Sequence, residues 1–291
     1  MNQRDRIDRQ WIRRSFDRAA TRYDAAAVLQ REVANRLLER LELIRLQPAM
    51  VLDVGSGTGY ASGLLRKRYP AAHVLELDFA PAMLRQARAK LSWLERWRRR
   101  RHPVCGDAMA LPLADASVDM IFSSLALQWC NDLDTVFAEF RRVLKPGGLL
   151  LFATLGPDTL KELRASWARV DRHPHVSPFL DMHDIGDALV RARLADPVMD
   201  VEHLCLTYAT VHDLMNDLKT LGSRNATRGR HTAMTGRQRL QAMTRAYEDF
   251  RRDGVLPATY EVAYGHAWAP EHDERQRRAE AFPIPVRQEQ T

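Results

Sequence analysis

Cysteine is scarce in this chain of 291 residues: Cys105, Cys130 and Cys205 are odd in number, far apart and without metal-ligand spacing. That pattern argues against a disulfide framework and against a zinc site, points to a reducing compartment, and leaves the thiols as packing residues. Long apolar runs are missing as well, since no stretch approaches the ~18 residues that a membrane span needs. The first ten residues carry charge throughout and lack the apolar core of a secretion signal, so a cytoplasmic protein is expected. No internal repeat or low-complexity tract interrupts the sequence. Its 45% apolar content suffices for one core without a metal or disulfide staple.

Acidic residues are in the minority. Forty-four Lys and Arg face 37 Asp and Glu, a net charge of +7, which suits an acidic partner: nucleic acid, a membrane or an acidic protein. The densest basic run, Arg96-Trp97-Arg98-Arg99-Arg100-Arg101, carries an aromatic as nucleic-acid surfaces do. Its place between a helix and a strand reads instead as a solvated arginine cluster, and neither nucleic acid nor membrane is expected as a partner.

Residues 4–46 read as two helices ahead of the sheet, the second with Val28, Leu29, Val33, Leu37, Leu38, Leu41 and Ile44 at helical spacing. From Met50 strands and helices alternate. Short apolar runs at 50–54, 73–78, near Val104, at 118–123 and at 149–154 read as strands buried on both faces. Helices are expected over 61–69, 81–93 and 133–144, the last stopped by Lys145-Pro-Gly-Gly148. Strict alternation predicts a doubly wound α/β fold with a mostly parallel sheet and right-handed crossovers. Beyond Gly156 the regularity loosens. Helices are expected at 158–170, 181–192, from Val211 to Leu221 and, after a capping-box spacing of Thr235 and Gln238, up to Phe250. Strands are expected at 201–208 and over Tyr260–Trp268. Gly222 to Gly236 reads as a polar, basic loop, and the charged tail from Pro270 as loose.

The chemistry is carried by Asp53-Val-Gly55-Ser-Gly57-Thr-Gly59. A strand opening onto three glycines lets backbone approach a ligand at the carboxyl edge of the sheet. Asp78, nineteen residues beyond Gly59, ends the next strand, where a carboxylate can accept both hydroxyls of a ribose. A nucleoside is therefore indicated. The spacing is G-x-G-x-G, with Tyr60 where a dinucleotide fold has its last glycine, and no GK[S/T] follows for a triphosphate.

This loop resembles motif one of the class I S-adenosylmethionine (SAM) dependent methyltransferases, and the resemblance runs in order through residues 50–155. It implies a Rossmann-like, seven-stranded sheet with N-terminal helices and a helical lid insertion. By position, it places Gly55, Gly57 and Gly59 in the cofactor loop, with the first two along the methionine part. Asp53 would steady the loop or, through water, the ammonium. Asp78 would hold the ribose, Phe79 and Met83 would lie beside the adenine, and Asp107 with Ala108 would sit at its amine. Ser123 and Ser124 would sit near the reacting methyl.

No Asn or Asp followed by Pro-Pro-aromatic ends strand four, which argues against DNA or amide N-methylation. The wider sequence is similar to the malonyl-[acyl-carrier protein] O-methyltransferases of biotin synthesis. The matching segments are Ser15–Asp24, Ser124–Trp129, Phe152–Gly156, Leu163–Trp167 with Pro174-His175 and Phe179-Leu180, and Asp217–Gly222. The resemblance implies SAM as cofactor, S-adenosylhomocysteine (SAH) as product and the acidic malonyl-acyl carrier protein as partner. It also implies four segments: an N-terminal helical flank (1–46), a SAM-binding core (47–155), the rest of the sheet with a substrate insertion (156–268) and a tail (269–291). Candidates to hold the substrate carboxylate are Tyr23, Gln128, Trp129, His175 and above all Arg224, with Arg172 and Arg230 as further arginines. Two alternatives stand beside this reading. One is a methyltransferase-fold arginine hydroxylase of the complex I assembly type, suggested by His175–Phe179 and Asp184-Ile-Gly; the other is a small-molecule carboxyl methyltransferase.

Overall fold

A computed structural model describes residues 6–98, 100–230 and 236–271. Thr235 of the expected capping box, Arg99 of the basic run and the tail beyond residue 271 lie outside them. The strands are β1 (Met50–Val54), β2 (His73–Asp78), β3 (Arg101–Cys105), β4 (Val118–Ser124), β5 (Leu144–Leu155), β6 (Ala195–Tyr208) and β7 (Leu256–Trp268). They form one sheet in the order β3-β2-β1-β4-β5-β7-β6. β1 to β5 are parallel, and β7 enters antiparallel between β5 and β6. This is the doubly wound, mostly parallel sheet that the alternation predicted. β1 lies between β2 and β4, so the winding reverses there and opens a crevice at the carboxyl ends of the strands.

Side-chain alternation along the strands divides the core in two. Val51, Met120, Phe122, Leu149 and Leu151 face helices α3 (Val28–Glu39), α4 (Tyr60–Arg68) and α8 (Lys161–Ala168). Leu52, Ile121, Leu150 and Phe152 face α7 (Leu133–Val143) and α9 (Met182–Arg191). A third, smaller cluster joins Ile12 and Phe16 of α1 (Arg9–Ala19) to Met83 of α5 (Pro81–Ala89) and to Ala226. The remaining helices are α2 (Tyr23–Ala26), α6 (Trp93–Arg98), α10 (Val211–Thr220) and α11 (Arg237–Glu248).

Several boundaries differ from expectation, each for a local reason. The N-terminal flank holds three helices rather than two. Ala27 leaves the helical region (φ −80°, ψ 44°), so α2 ends after one turn and the Arg31 guanidinium donates to the Asp24 carbonyl (2.7 Å). The expected 81–93 helix stops at Ala89, and α6 begins anew because Ser92 and Glu95 form a reciprocal cap, Ser92 amide to Glu95 at 2.9 Å and Glu95 amide to Ser92 at 3.3 Å. The arginine run is thereby split. α6 exposes Trp93 and Trp97 to solvent, while Arg101 opens β3 with a buried side chain that pairs with buried Glu76 and donates to the Gly59 carbonyl (3.2 Å). Arg101 is thus a core residue, against the expected solvated cluster. The thiols depart as well: Cys105 and Cys205 are exposed, since they lie on the two edge strands β3 and β6.

Candidate active site

A cavity of about 730 Å³ opens at the carboxyl ends of β1 to β4. Its floor is Gly55, Gly57, Asp78, Phe79, Met83, Gly106, Asp107, Ala108 and Ser124–Leu127. Gly55 and Gly57 have φ of 74° and 55°, conformations that favour glycine, and a Cβ on Gly55 would collide with that of Ala126. Asp78 is buried, and its oxygens accept from the amides of Gly57 (2.9 Å) and Ala80 (2.8 Å). Burial pushes its carboxyl up to about 6, against the pull of those amides. At the far end Asp107 accepts from the Met109 amide (3.0 Å) and forms an ion pair with Arg9, the first residue of α1.

The N-terminal helices roof this floor. Phe16, Tyr23 and Trp129 close the cavity from above. Asp24 is tied to the glycine loop by Thr58 (2.6 Å) and by an ion pair with Lys90; Asp17 receives the Ala82 amide (2.9 Å). Among the described residues, three buried side-chain polar atoms lack a partner: Gln30 Oε1, Ser56 Oγ and Ser124 Oγ. All three residues line one small cavity of about 510 Å³ between α3 and the glycine loop. Orphaned polar atoms gathered in one place call for a polar ligand, and the zwitterionic amino-acid end of SAM supplies the donors and acceptors they lack. The residues therefore fit the cofactor.

Ser123 and Gly59, expected at the cofactor, lie off both cavities. The Ser123 hydroxyl is buried in the sheet, donating to the Val54 carbonyl (3.0 Å), and it is Ser124 that faces the cavity. Gly59 starts α4 at φ 81°, and a Cβ there would strike Arg101. Asp53 lines only the smaller cavity and accepts from Ser62 (2.5 Å); burial, with Glu76 nearby, pushes it up to about 7. Its hydrogen bond ties the end of β1 to α4 beneath the loop.

Of the expected substrate residues, His175, Arg224 and Arg230 gather with Trp129 at a second opening, whereas Tyr23 lines the cofactor cavity and Gln128 the space between. A vestibule of about 1480 Å³ is lined by Trp11, Trp129, Trp167, His175, Arg224 and Arg230, among others. A middle cavity lies between it and the cofactor floor, sharing Tyr23 and Phe16 with the floor and Leu160, Phe179 and Leu218 with the vestibule. His175 is stacked on Trp167 (3.7 Å between centroids) and hydrogen-bonded to Asp171 (2.9 Å). Both polar ends of Gln128 already have partners, the Leu125 carbonyl (2.7 Å) and the Thr154 hydroxyl (3.3 Å), so it forms a wall of the middle cavity. Arg230 is compensated by Asp8 (3.3 Å), whereas Arg224 makes no ion pair among the described residues and lies over the Trp11 ring at 5.8 Å. Arg172 is exposed and outside the vestibule. Sequence reasoning missed Arg9, Phe16, Trp11 and Gln30; of these only Phe16 lay in a segment already singled out.

Residues 52–152 match a family model described as a methyltransferase domain. Among solved structures the chain is similar to a methyltransferase-like protein of Bacillus halodurans (17% identity, TM-score 0.58, 81% of this chain and 98% of that one). It is also similar to a Haemonchus contortus phosphoethanolamine N-methyltransferase in complex with SAM (16%, TM-score 0.55, 87% and 57%). These likenesses speak to the fold. Among curated proteins it is 60% identical over 267 residues to a malonyl-[acyl-carrier protein] O-methyltransferase of Laribacter hongkongensis, covering 90% of each chain. It is 57% identical over 267 residues to one from Methylovorus, covering 91% of this chain and 90% of that one. Identity at that level across nine-tenths of both sequences displaces the hydroxylase and small-molecule alternatives. With its glycine-lined cavity and its arginine-bearing vestibule, the chain belongs to the malonyl-[acyl-carrier protein] O-methyltransferase family of SAM-dependent methyltransferases.

Proposed function

We propose that the chain transfers the SAM methyl group to the free carboxylate of a malonyl thioester carried on acyl carrier protein, early in biotin synthesis. The observation that carries this reading is that, in a chain of this family, the vestibule and the cofactor floor meet at Trp129, which lines both, with Tyr23 on the floor and on the cavity between them. When bound, SAM supplies an electrophilic methyl on a sulfonium. The acceptor needs no general base, because a carboxylate with a reference pKa around 4 is already ionised.

The protein's work is therefore to bind, align and dry the two groups. Phe16, Tyr23 and Trp129 shut water out above the floor. Burial, with Asp78 and Asp24 nearby, drives the Tyr23 hydroxyl well above its usual range, so it stays protonated and serves as a donor rather than a base. Arg224, which pairs with no carboxylate among the described residues, attracts and holds the malonyl carboxylate, and a guanidinium can do so bidentately. Asp78 holds the ribose, and Asp107 the adenine amine. The acidic carrier docks on the basic surface around the vestibule.

Mass spectrometry of malonyl-carrier protein incubated with SAM tests the reaction. The expected result is gain of one methyl group that mild ester hydrolysis removes; a methyl that survives hydrolysis places the transfer elsewhere, and no gain refutes the proposal.

A further inference from the structure

Two successive residues at the start of α1 pair with side chains of the two halves of the site. Asp8 caps the helix, accepting from the Trp11 amide (3.0 Å), and pairs with Arg230 of the vestibule (3.3 Å). Arg9 pairs with Asp107 at the adenine end of the cofactor cavity. Between these anchors, residues 6–8 bond like a short antiparallel strand to residues 226–228 of the loop after α10, hereafter the roof loop. The Asp8 amide donates to the Ala226 carbonyl (2.7 Å), the Arg228 amide donates to the Arg6 carbonyl (2.8 Å), and Ile7 bridges Thr227. Ile7 is 4% exposed, and Asn131 clasps it from below, accepting its amide (2.7 Å) and donating to its carbonyl (3.0 Å). Arg9 lines the cofactor cavity and Trp11 lines the vestibule, while Asp8, Ala226 and Arg228 line neither.

We propose that Arg9 is a positioning residue through which cofactor occupancy firms the substrate vestibule. The Arg9–Asp107 pair has side chains about one-third exposed, and an ion pair that wet is weak. A nucleoside filling the cavity removes that water, and the lowered local dielectric strengthens the pair. Arg9 then holds residues 6–8 against the roof loop, and with them Asp8, Arg230 and Trp11. Sites joined in this way are coupled reciprocally, so SAM or SAH tightens substrate binding and substrate tightens cofactor binding by the same factor. The inference rests on the cofactor assignment and adds a residue and a direction of coupling to it.

The test is amide hydrogen exchange on the full chain with and without SAH, followed at the Asp8 and Arg228 amides, neither of which lines the cofactor cavity. SAH is expected to slow both at least about fivefold, the lower end of ordinary coupling. In Arg9→Gln, saturated with SAH, that slowing should vanish, and Arg9→Lys, which keeps the charge, should restore part of it. Bound SAH that leaves both amides unchanged in the wild-type chain overturns the coupling alone. Full protection in Arg9→Gln overturns the role of Arg9. Failure of SAH to bind the wild-type chain overturns the cofactor assignment together with the coupling. If Arg9→Gln does not fold, the Lys variant decides: protection kept at least in part upholds a charge-mediated tether, and its complete absence overturns it.

Discussion

The floor and the roof of the site are built by opposite means. The floor is made by strand ends in fixed parallel register, backbone amides and buried carboxylates, with Asp78 and Asp53 both pushed up by burial. The roof is helices and a loop held by partly exposed pairs, Arg9–Asp107, Asp24–Lys90 and Asp8–Arg230, and by one isolated β-bridge. The first arrangement gives a preorganised nucleoside site; the second gives contacts weak enough to exchange when a protein-borne substrate enters. Ligand affinity should therefore be most sensitive to the floor, and substrate selection to the roof.

Asp78→Asn attacks the floor most directly. Two hydrogen bonds to a charged acceptor at roughly 1.5–3 kcal/mol each predict SAH affinity lower by about a hundredfold or more, read by calorimetry on material whose circular dichroism is unchanged. A near-normal affinity would mean that the floor's carboxylate is not the ribose anchor. Arg224→Gln attacks the roof, and loss of one charge-assisted contact predicts KM for malonyl-carrier protein up by about ten- to a hundredfold with SAH affinity intact. Equal loss of both ligands would erase the division of labour.

Acidity sharpens the contrast in the third place. Burial pushes the Asp78 carboxyl up to about 6, and with Asp78 as the proposed ribose anchor the hydroxyls would donate to its ionised form, so SAH affinity should be steady above pH 6 and fall as pH drops below it. Roughly a tenfold fall per unit is expected well below that point, flattened in Asp78→Asn. The same shift has the opposite sign for folding: a carboxyl raised above its unfolded value near 3.9 adds stability below about pH 4, and this is lost as pH rises through 6. Salt gives the smallest effect. KM for carrier-linked substrate should rise several-fold between low and physiological ionic strength, because rim charges are screened, while SAH affinity stays flat. A flat response for both removes the electrostatic docking of the carrier.

The floor was legible because its signals are local. Three glycines and one aspartate at fixed spacing, each at the end of an apolar run, specify a strand-loop-helix unit without knowledge of anything distant. Arg101 was not legible, since nothing within a run of arginines marks the one whose neighbour across the sheet is buried Glu76. Ser123 and Ser124 were assigned together for a similar reason. On a strand buried on both faces polarity does not tell which face holds the ligand, and the register gave the inner position to Ser123. The roof depends on contacts such as Arg9 with Asp107 and Ser15 with Gly222, which no periodicity encodes. There the matching segments of the family supplied Tyr23, Trp129 and His175, while Trp11 and Arg9, outside those segments, went unseen.

The antiparallel entry of β7 has a consequence for the order in which the molecule can be completed. β6 pairs with β7 and with no other strand, and Glu261 on β7 receives the Asp158 amide (2.6 Å) just ahead of α8, the helix that presents Trp167 to the vestibule. A ribosome must therefore deliver nearly the whole polypeptide before that wall can stand, whereas every strand beneath the nucleoside has emerged by residue 155. Every residue that lines the cofactor cavity is translated before the strands that complete the wall of the vestibule.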